Sequence, residues 1–414
     1  MSSSFRNLLW PSMALVGAAS GAAQAQQTYF LPSFETSAEW HDNRDLAVDS
    51  ARKKSNGIYY ARAEALIGRV DQRSSIELRP WVSYLEVPDS TDSEPLEVGV
   101  NLRTLTETTK AQWRFNARYM QRDAVVSELG TAGFDSFDPA KTPTGDTGVV
   151  TVGGKRTDLN IYPRVTYRFT ERTRLEARLE LDNIDYTRSI AFRRVGYKSN
   201  LVEATLVHRL TKRFEVIAGP YATNFKADDR SNETDAYGLV LGAGFAPAQT
   251  AYVIGQLRAE RSDVTTRTFT PVATESKGNQ TTVGFEIVGH YSWPASRIYY
   301  NAGRFLEPGT IGSRVKNDTL RVQYNRFLSA RLNAVAALRM YRDDRVDEIS
   351  VTTGNKRLFA DLSLYWQLTP TWYIGGGYRF LRQELAVDPR TANDNAISLQ
   401  FGYRALDPRP RSVQ

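Results

Sequence analysis

Three pairs of arginines, each four residues apart, stand out as chemistry: Arg114 with Arg118, Arg164 with Arg168, and Arg174 with Arg178. In an extended strand residues i and i+4 share a face, so each pair aims two guanidinium groups the same way. Side by side on adjacent strands, such groups attract anions and donate hydrogen bonds to carboxylates or hydroxyls. The competing reading is that Glu176, Glu180 and other acids on that face pair with the arginines and stiffen the wall. Arg62, Arg79, Arg258, Arg339 and Arg379 continue the basic set elsewhere, while Glu64, Glu77, Glu260, Glu286 and Asp361 dilute it. The expected anion preference is therefore modest.

Tyr60, Trp81, Tyr162, Tyr299, Tyr365 and Tyr373 fall on the same side. Their rings offer stacking surfaces to sugars, although strands also take aromatics for packing alone. The three histidines, His41, His208 and His290, are scattered, and no metal-ligand spacing, nucleophile elbow or phosphate loop is present. The pattern argues for a non-enzyme with no cofactor and no metal.

The arginines must be held by strands. From Asn160 to Tyr186, Ile161, Val165, Tyr167 and Phe169 alternate with Asn160, Arg164, Thr166 and Arg168. After Glu171-Arg172-Thr173, Leu175, Ala177, Leu179 and Leu181 alternate with Arg174, Glu176, Arg178 and Glu180. This period of two makes a hairpin with one apolar and one charged face, and a one-residue slip would put every charge on the wrong side. The rhythm predicts strands near 29–40, 59–69, 76–84, 96–103, 112–122, 157–169, 174–186, 199–210, 213–225 and 235–245. It continues near 250–261, 280–292, 296–306, 317–327, 331–343, 356–367, 371–384 and 395–405.

Short connections near Asp71, Thr108, Glu171, Lys212, Ala248, Pro294, Ala330 and Thr369 alternate with longer ones such as 41–56, 123–155, 187–197, 262–278 and 344–354. All tight turns then lie at one end, which is the asymmetry of an all-β, antiparallel up-and-down transmembrane barrel of about 18 strands, with short periplasmic turns and longer extracellular loops. A soluble sandwich also alternates, but strands of nine to thirteen residues suit a tilted bilayer crossing. Phe169, Phe214, Tyr291, Trp293, Trp366 and Trp372 gather at the turn ends, where a membrane-interface girdle is expected. The long Asp123–Lys155 connection, with Asp135, Asp138 and Asp146, either narrows the lumen from within or stands outside.

Composition agrees. Of 414 residues, 41% are hydrophobic, none is cysteine and no apolar run reaches the roughly 18 residues of a membrane helix. Residues 1–25 read as a cleaved secretory signal: Arg6, an apolar stretch from Leu8 to Gly17 and Ala23-Gln24-Ala25. Cleavage there removes Arg6 and takes the net charge from +7 to +6. The barrel occupies 26–406, and 407–414 form a short periplasmic tail. The expected location is the bacterial outer membrane; dispersed charge and export argue against a nucleic-acid partner.

The opening Leu31-Pro32-Ser33-Phe34-Glu35-Thr36-Ser37-Ala38-Glu39-Trp40-His41-Asp42-Asn43 resembles the start of a family of porin-2-like and EpsL-like outer-membrane barrels found with exopolysaccharide and exosortase systems. The final strand, Ile397 to Arg404, resembles the closing strand by which outer-membrane barrels in general are recognised for insertion, but Leu406 to Gln414 follow where a terminal aromatic is usual. The resemblance implies a conduit, or support for one, for secreted polysaccharide, with a periplasmic polysaccharide-export protein as partner. The alternative is a passive porin for small anionic or sugar solutes.

Overall fold

The computed structural model describes residues 26–44, 46–48, 53, 55–88, 95–123, 154–187, 195–268, 274–308, 314–345, 355–385 and 388–406. The proposed signal segment 1–25, the tail 407–414 and nearly all of the 123–155 connection lie outside them. Eighteen strands form: β1 (Gln27–His41), β2 (Asn56–Val70), β3 (Ser74–Glu86), β4 (Leu96–Glu107), β5 (Ala111–Asp123) and β6 (Lys155–Arg168). Next come β7 (Thr173–Thr187), β8 (Tyr197–Arg209), β9 (Phe214–Ala227), β10 (Asn232–Ala248), β11 (Ala251–Thr268) and β12 (Thr274–Trp293). The last are β13 (Ser296–Pro308), β14 (Arg314–Phe327), β15 (Leu332–Arg345), β16 (Asn355–Gln367), β17 (Trp372–Leu385) and β18 (Asp388–Arg404).

Each strand pairs antiparallel with the next, and β18 pairs back with β1 from Ser33 opposite Arg404 to His41 opposite Ala396. The sheet is therefore a closed ring. Its outer face carries the exposed apolar side chains, among them Leu239, Leu241, Leu257, Val283, Leu362 and Ile397. An apolar belt around a closed ring is a surface for hydrocarbon, so the fold is that of a transmembrane barrel. Exposed Trp113, Phe169, Phe214, Trp293, Trp366 and Trp372 edge the belt at the tight-turn end, and Trp40, Tyr59, Tyr84, Tyr119, Tyr237 and Tyr378 edge it at the other.

The tight turns share a local cause. Thr170, Thr211, Ser329 and Thr369 each stand second in a four-residue turn, after Phe169, Leu210, Leu328 and Leu368. In each, the hydroxyl oxygen accepts from two backbone N–H groups, two and three residues on: Arg172 and Thr173, Arg213 and Phe214, Arg331 and Leu332, Thr371 and Trp372, at 3.0–3.3 Å. A short side-chain acceptor thus replaces the ladder partner that those donors lose at the bend.

One expected loop is not a loop. Much of 262–278 is strand, because β11 runs on to Thr268 and β12 begins at Thr274. The two pair along their length, while β12 meets β13 only from Phe285 opposite Arg304 onward. This Thr-rich hairpin projects past the apolar belt, so neither face needs an apolar stripe. Arg267 sits opposite Glu275 and bonds it at 3.1 Å.

Inside the ring, apolar clusters occupy the half away from the tight turns. Ile184, Val195, Tyr197, Phe225 and Ala227 form one, and Ile58, Leu85 and Val87 another. In the third, Leu46, from the segment after β1, packs on Ala337, Phe359, Leu381 and Ala392 from four consecutive strands. Residues 42–44 and 46–48 therefore fold into the barrel.

Candidate functional site in the lumen

Alternation puts the residues opposite the apolar belt into the lumen, and ion pairs between strands that are not neighbours verify the assignment. Glu203 on β8 bonds Arg258 on β11 at 2.8 Å, and Arg314 on β14 bonds Glu260 on β11 at 2.9 Å. Such pairs form only across an interior. By the same register Arg62, Arg79, Arg114, Arg118, Arg164, Arg168, Arg174, Arg178, Arg258, Arg339 and Arg379 all face inward, as do Tyr60, Trp81, Tyr162, Tyr299, Tyr365 and Tyr373.

The structure distributes the arginines between the two roles. Arg174 bonds Glu176 at 2.7 Å and Glu215 through both terminal nitrogens at 2.9 and 3.0 Å. Arg178 meets Glu180 at 3.4 Å and Glu203 at 2.9 Å, so Glu203 bridges Arg178 and Arg258. Arg62 and Arg79 share Glu64, Arg379 joins Asp361 and Glu39, and exposed Arg168 meets Glu107 at 3.6 Å. These are stiffening contacts. The alternation names Glu176 and Glu180 for them and gives Glu64 and Asp361 only as acids that dilute the basic set; it gives no sign of Glu203, Glu215 or Glu39, whose partners lie on other strands.

One arc is different. Arg114 on β5, Arg164 on β6 and Arg178 on β7 stand directly opposite one another in a single rung; Thr166 faces Glu176 in the next inward rung, and Arg168 faces Arg174 in the one after. Arg164 is half-buried and, among the described residues, has no hydrogen bond or ion pair; Arg103, inward on β4, is exposed and likewise has none. Like charges on one rung repel, and the arrangement is complementary to an anion. Arg118 faces Asn160 and bonds its amide oxygen at 3.2 Å. Arg339 lies over the rings of Tyr341 and Phe359.

The aromatics also divide. Trp81 lies flat against Gly99, where a Cβ would come within 2.5 Å of its ring, and the Arg62 guanidinium covers it at 4.3 Å from the centroid. Tyr373 lies against Gly402 in the same manner and donates to Glu35 at 2.7 Å; Tyr162 donates to Asp182. Trp81 and Tyr373 fill the wall over glycine, and Tyr162 is held by its carboxylate. Tyr299 is half-buried and belongs to a group near the tight-turn end with Tyr252 and His290.

Residues 42–44 and 46–48 are pinned at the opposite end. His41 shares a 2.7 Å hydrogen bond with Asp394 and a 3.3 Å one with Glu39. The Asn43 N–H donates to Asp394, its Nδ2 to the carbonyls of Asn393 and Ala47, and its Oδ1 accepts from the Ala47 N–H. Leu46 takes φ 50°, a left-handed backbone rare for leucine, and its side chain is 6% exposed. The lumen is thus narrowed near its loop end.

No family model matches this chain, and no curated protein matches it. Among solved structures it is similar to OccAB2 of Acinetobacter baumannii, 11% identical over 91% of this chain and 98% of that one, with a TM-score of 0.44. It is also similar to OpdK of Pseudomonas aeruginosa with vanillate, 9% identical over 91% and 98%, TM-score 0.42. A loop L8 deletion mutant of OmpT, an outer membrane protein of Vibrio cholerae, is 10% identical over 92% and 99%, TM-score 0.41. At these scores the fold rests on the chain's own strand register.

Proposed function

We propose that this chain is an outer-membrane porin for small solutes with a preference for anions. The location follows from the class of membrane that such barrels occupy, with tight turns in the periplasm. The observation that carries the solute class is Arg164, without a carboxylate partner among the described residues and flanked on its rung by Arg114 and Arg178. A small anion passing this arc meets Arg164, while Arg62, Arg79, Arg174, Arg178, Arg258 and Arg379 each meet a carboxylate. Weak, repeated contacts of this kind allow both entry and exit.

The polysaccharide conduit implied by the resemblance has less support. A polymer needs width along the whole path, and Leu46, with Val48 beside it, occupies part of the lumen, buried against four strands. A periplasmic export partner has no observation behind it.

Reversal potential across a salt gradient in planar bilayers tests the reading. Replacing Arg164 and Arg114 with glutamine should move the potential toward cation preference without closing the channel. An unchanged potential, or a protein that passes no current, would count against it.

A further inference from the structure

We propose that the tight-turn mouth of the lumen holds a binding site for a neutral sugar ring, built on Tyr252, His290, Tyr299 and Gln323. The inference rests on the lumen being a solute path and names a second ligand class for it.

Register sets the four in one rung: Tyr252 opposite His290, His290 opposite Tyr299, Tyr299 opposite Gln323. At about 4.8 Å between strands, the rung spans roughly the length of two or three sugar rings. It lies within five residues of the ends of β11, β12, β13 and β14, which places it in the mouth. Tyr252 meets His290 edge-on with centroids 4.4 Å apart, and His290 meets Tyr299 at 5.9 Å. Whereas Trp81 and Tyr373 lie against glycines, these three rings pack on one another. None is buried, and Tyr252 is 38% exposed.

Polar groups flank the rings. The Tyr299 hydroxyl accepts from Arg297 at 3.0 Å, and Gln323 Nε2 donates to Asn325 Oδ1 at 3.2 Å. A sugar presents C–H patches on its faces and hydroxyls at its rim; a row of rings ending in amides complements both. The rung contains no carboxylate or guanidinium, so its chemistry does not duplicate the Arg114–Arg164–Arg178 rung on β5 to β7. It suits an uncharged ligand, with the single Arg297 at its edge available to a hydroxyl.

The test uses the full chain and maltohexaose as probe. Calorimetric titration of the detergent-solubilised protein should show binding, weakened roughly tenfold, or about 1.4 kcal/mol, by Tyr299→Ala or Tyr252→Ala, which is within what one aromatic contact contributes. Tyr300→Ala, on the outer face, and Arg164→Gln should leave it unchanged. In bilayers the sugar should interrupt the current, less so in the tyrosine variants. Absence of binding, or equal binding in a Tyr252→Ala/Tyr299→Ala double variant, would overturn the site. Binding without any current would instead sink the porin reading and leave the site standing. Current whose selectivity responds to Arg164→Gln, with no sugar binding, would do the reverse.

Discussion

Glu203 shows what a single lumen carboxylate does. It is 8% exposed and accepts from Arg178 at 2.9 Å and Arg258 at 2.8 Å, tying β8 to β7 and β11. Glu203→Gln leaves two guanidinium groups with one less charge to answer them. We expect a loss of about 1–3 kcal/mol of stability, read as a lower unfolding temperature in detergent. Anion selectivity should rise in the same variant, opposite in sign to Arg164→Gln. Equal selectivity in the two would contradict a lumen in which acids neutralise part of the arginine set. Period-two alternation told which face each arginine takes, because parity is local. It did not tell which acid each would meet: Arg258 and Glu203 are three strands apart, and that distance is a property of the ring. Leu46 left no trace in the sequence, since a left-handed leucine has no pattern of its own.

The strands themselves were legible throughout, because lipid on one side and water on the other enforce the same period in every one. Where lipid stops, the signal stops, which is why the projecting β11–β12 hairpin read as a loop. The hydroxyl-capped turns are the element most open to test. Thr211→Val keeps the shape and removes the acceptor for Arg213 and Phe214, and should cost about 1 kcal/mol, with Thr211→Ser nearly neutral. Equal stability of the two variants would show that the bend does not depend on the cap. At the other end Asp42, beyond β1, accepts from the backbone and side-chain N–H groups of Asn395, both at 2.7 Å. Burial pushes its carboxyl up, but those bonds and the Lys53 charge outweigh that and hold it below the usual carboxylate range. Its contribution is therefore present above about pH 4, the usual carboxylate value, and is lost as pH falls through the lowered folded value. Asp42→Asn should flatten that acid-side loss, measured as hydrogen exchange of the first residues after β1 at pH 3 to 5.

For the molecule as a whole, the belt and the constriction make separate predictions. Leu239 stands 58% exposed amid the outer apolar face, and Leu239→Arg should cost about 2–4 kcal/mol on insertion. Folding yield into vesicles would show it. Leu46→Gly removes the side chain that fills the pocket of Ala337, Phe359, Leu381 and Ala392 and relieves the left-handed backbone. The barrel should persist and its conductance should rise; an unchanged conductance would mean that the narrowest point lies elsewhere. The lumen's width was not legible beforehand, because alternation fixes directions and says nothing of what folds inward between strands.

The seam between β1 and β18 carries a consequence for engineering. Once Ser33 has met Arg404, the ring has no first strand, only a place where the polypeptide happens to be cut. A circular permutant beginning at Thr250, with residues 406 and 26 joined by a short linker, retains every strand pairing. If it assembles as readily as the natural order, synthesis order does not govern closure. If it fails, the ends of β1 and β18 are read as signals during assembly, and the seam is an address as well as a joint.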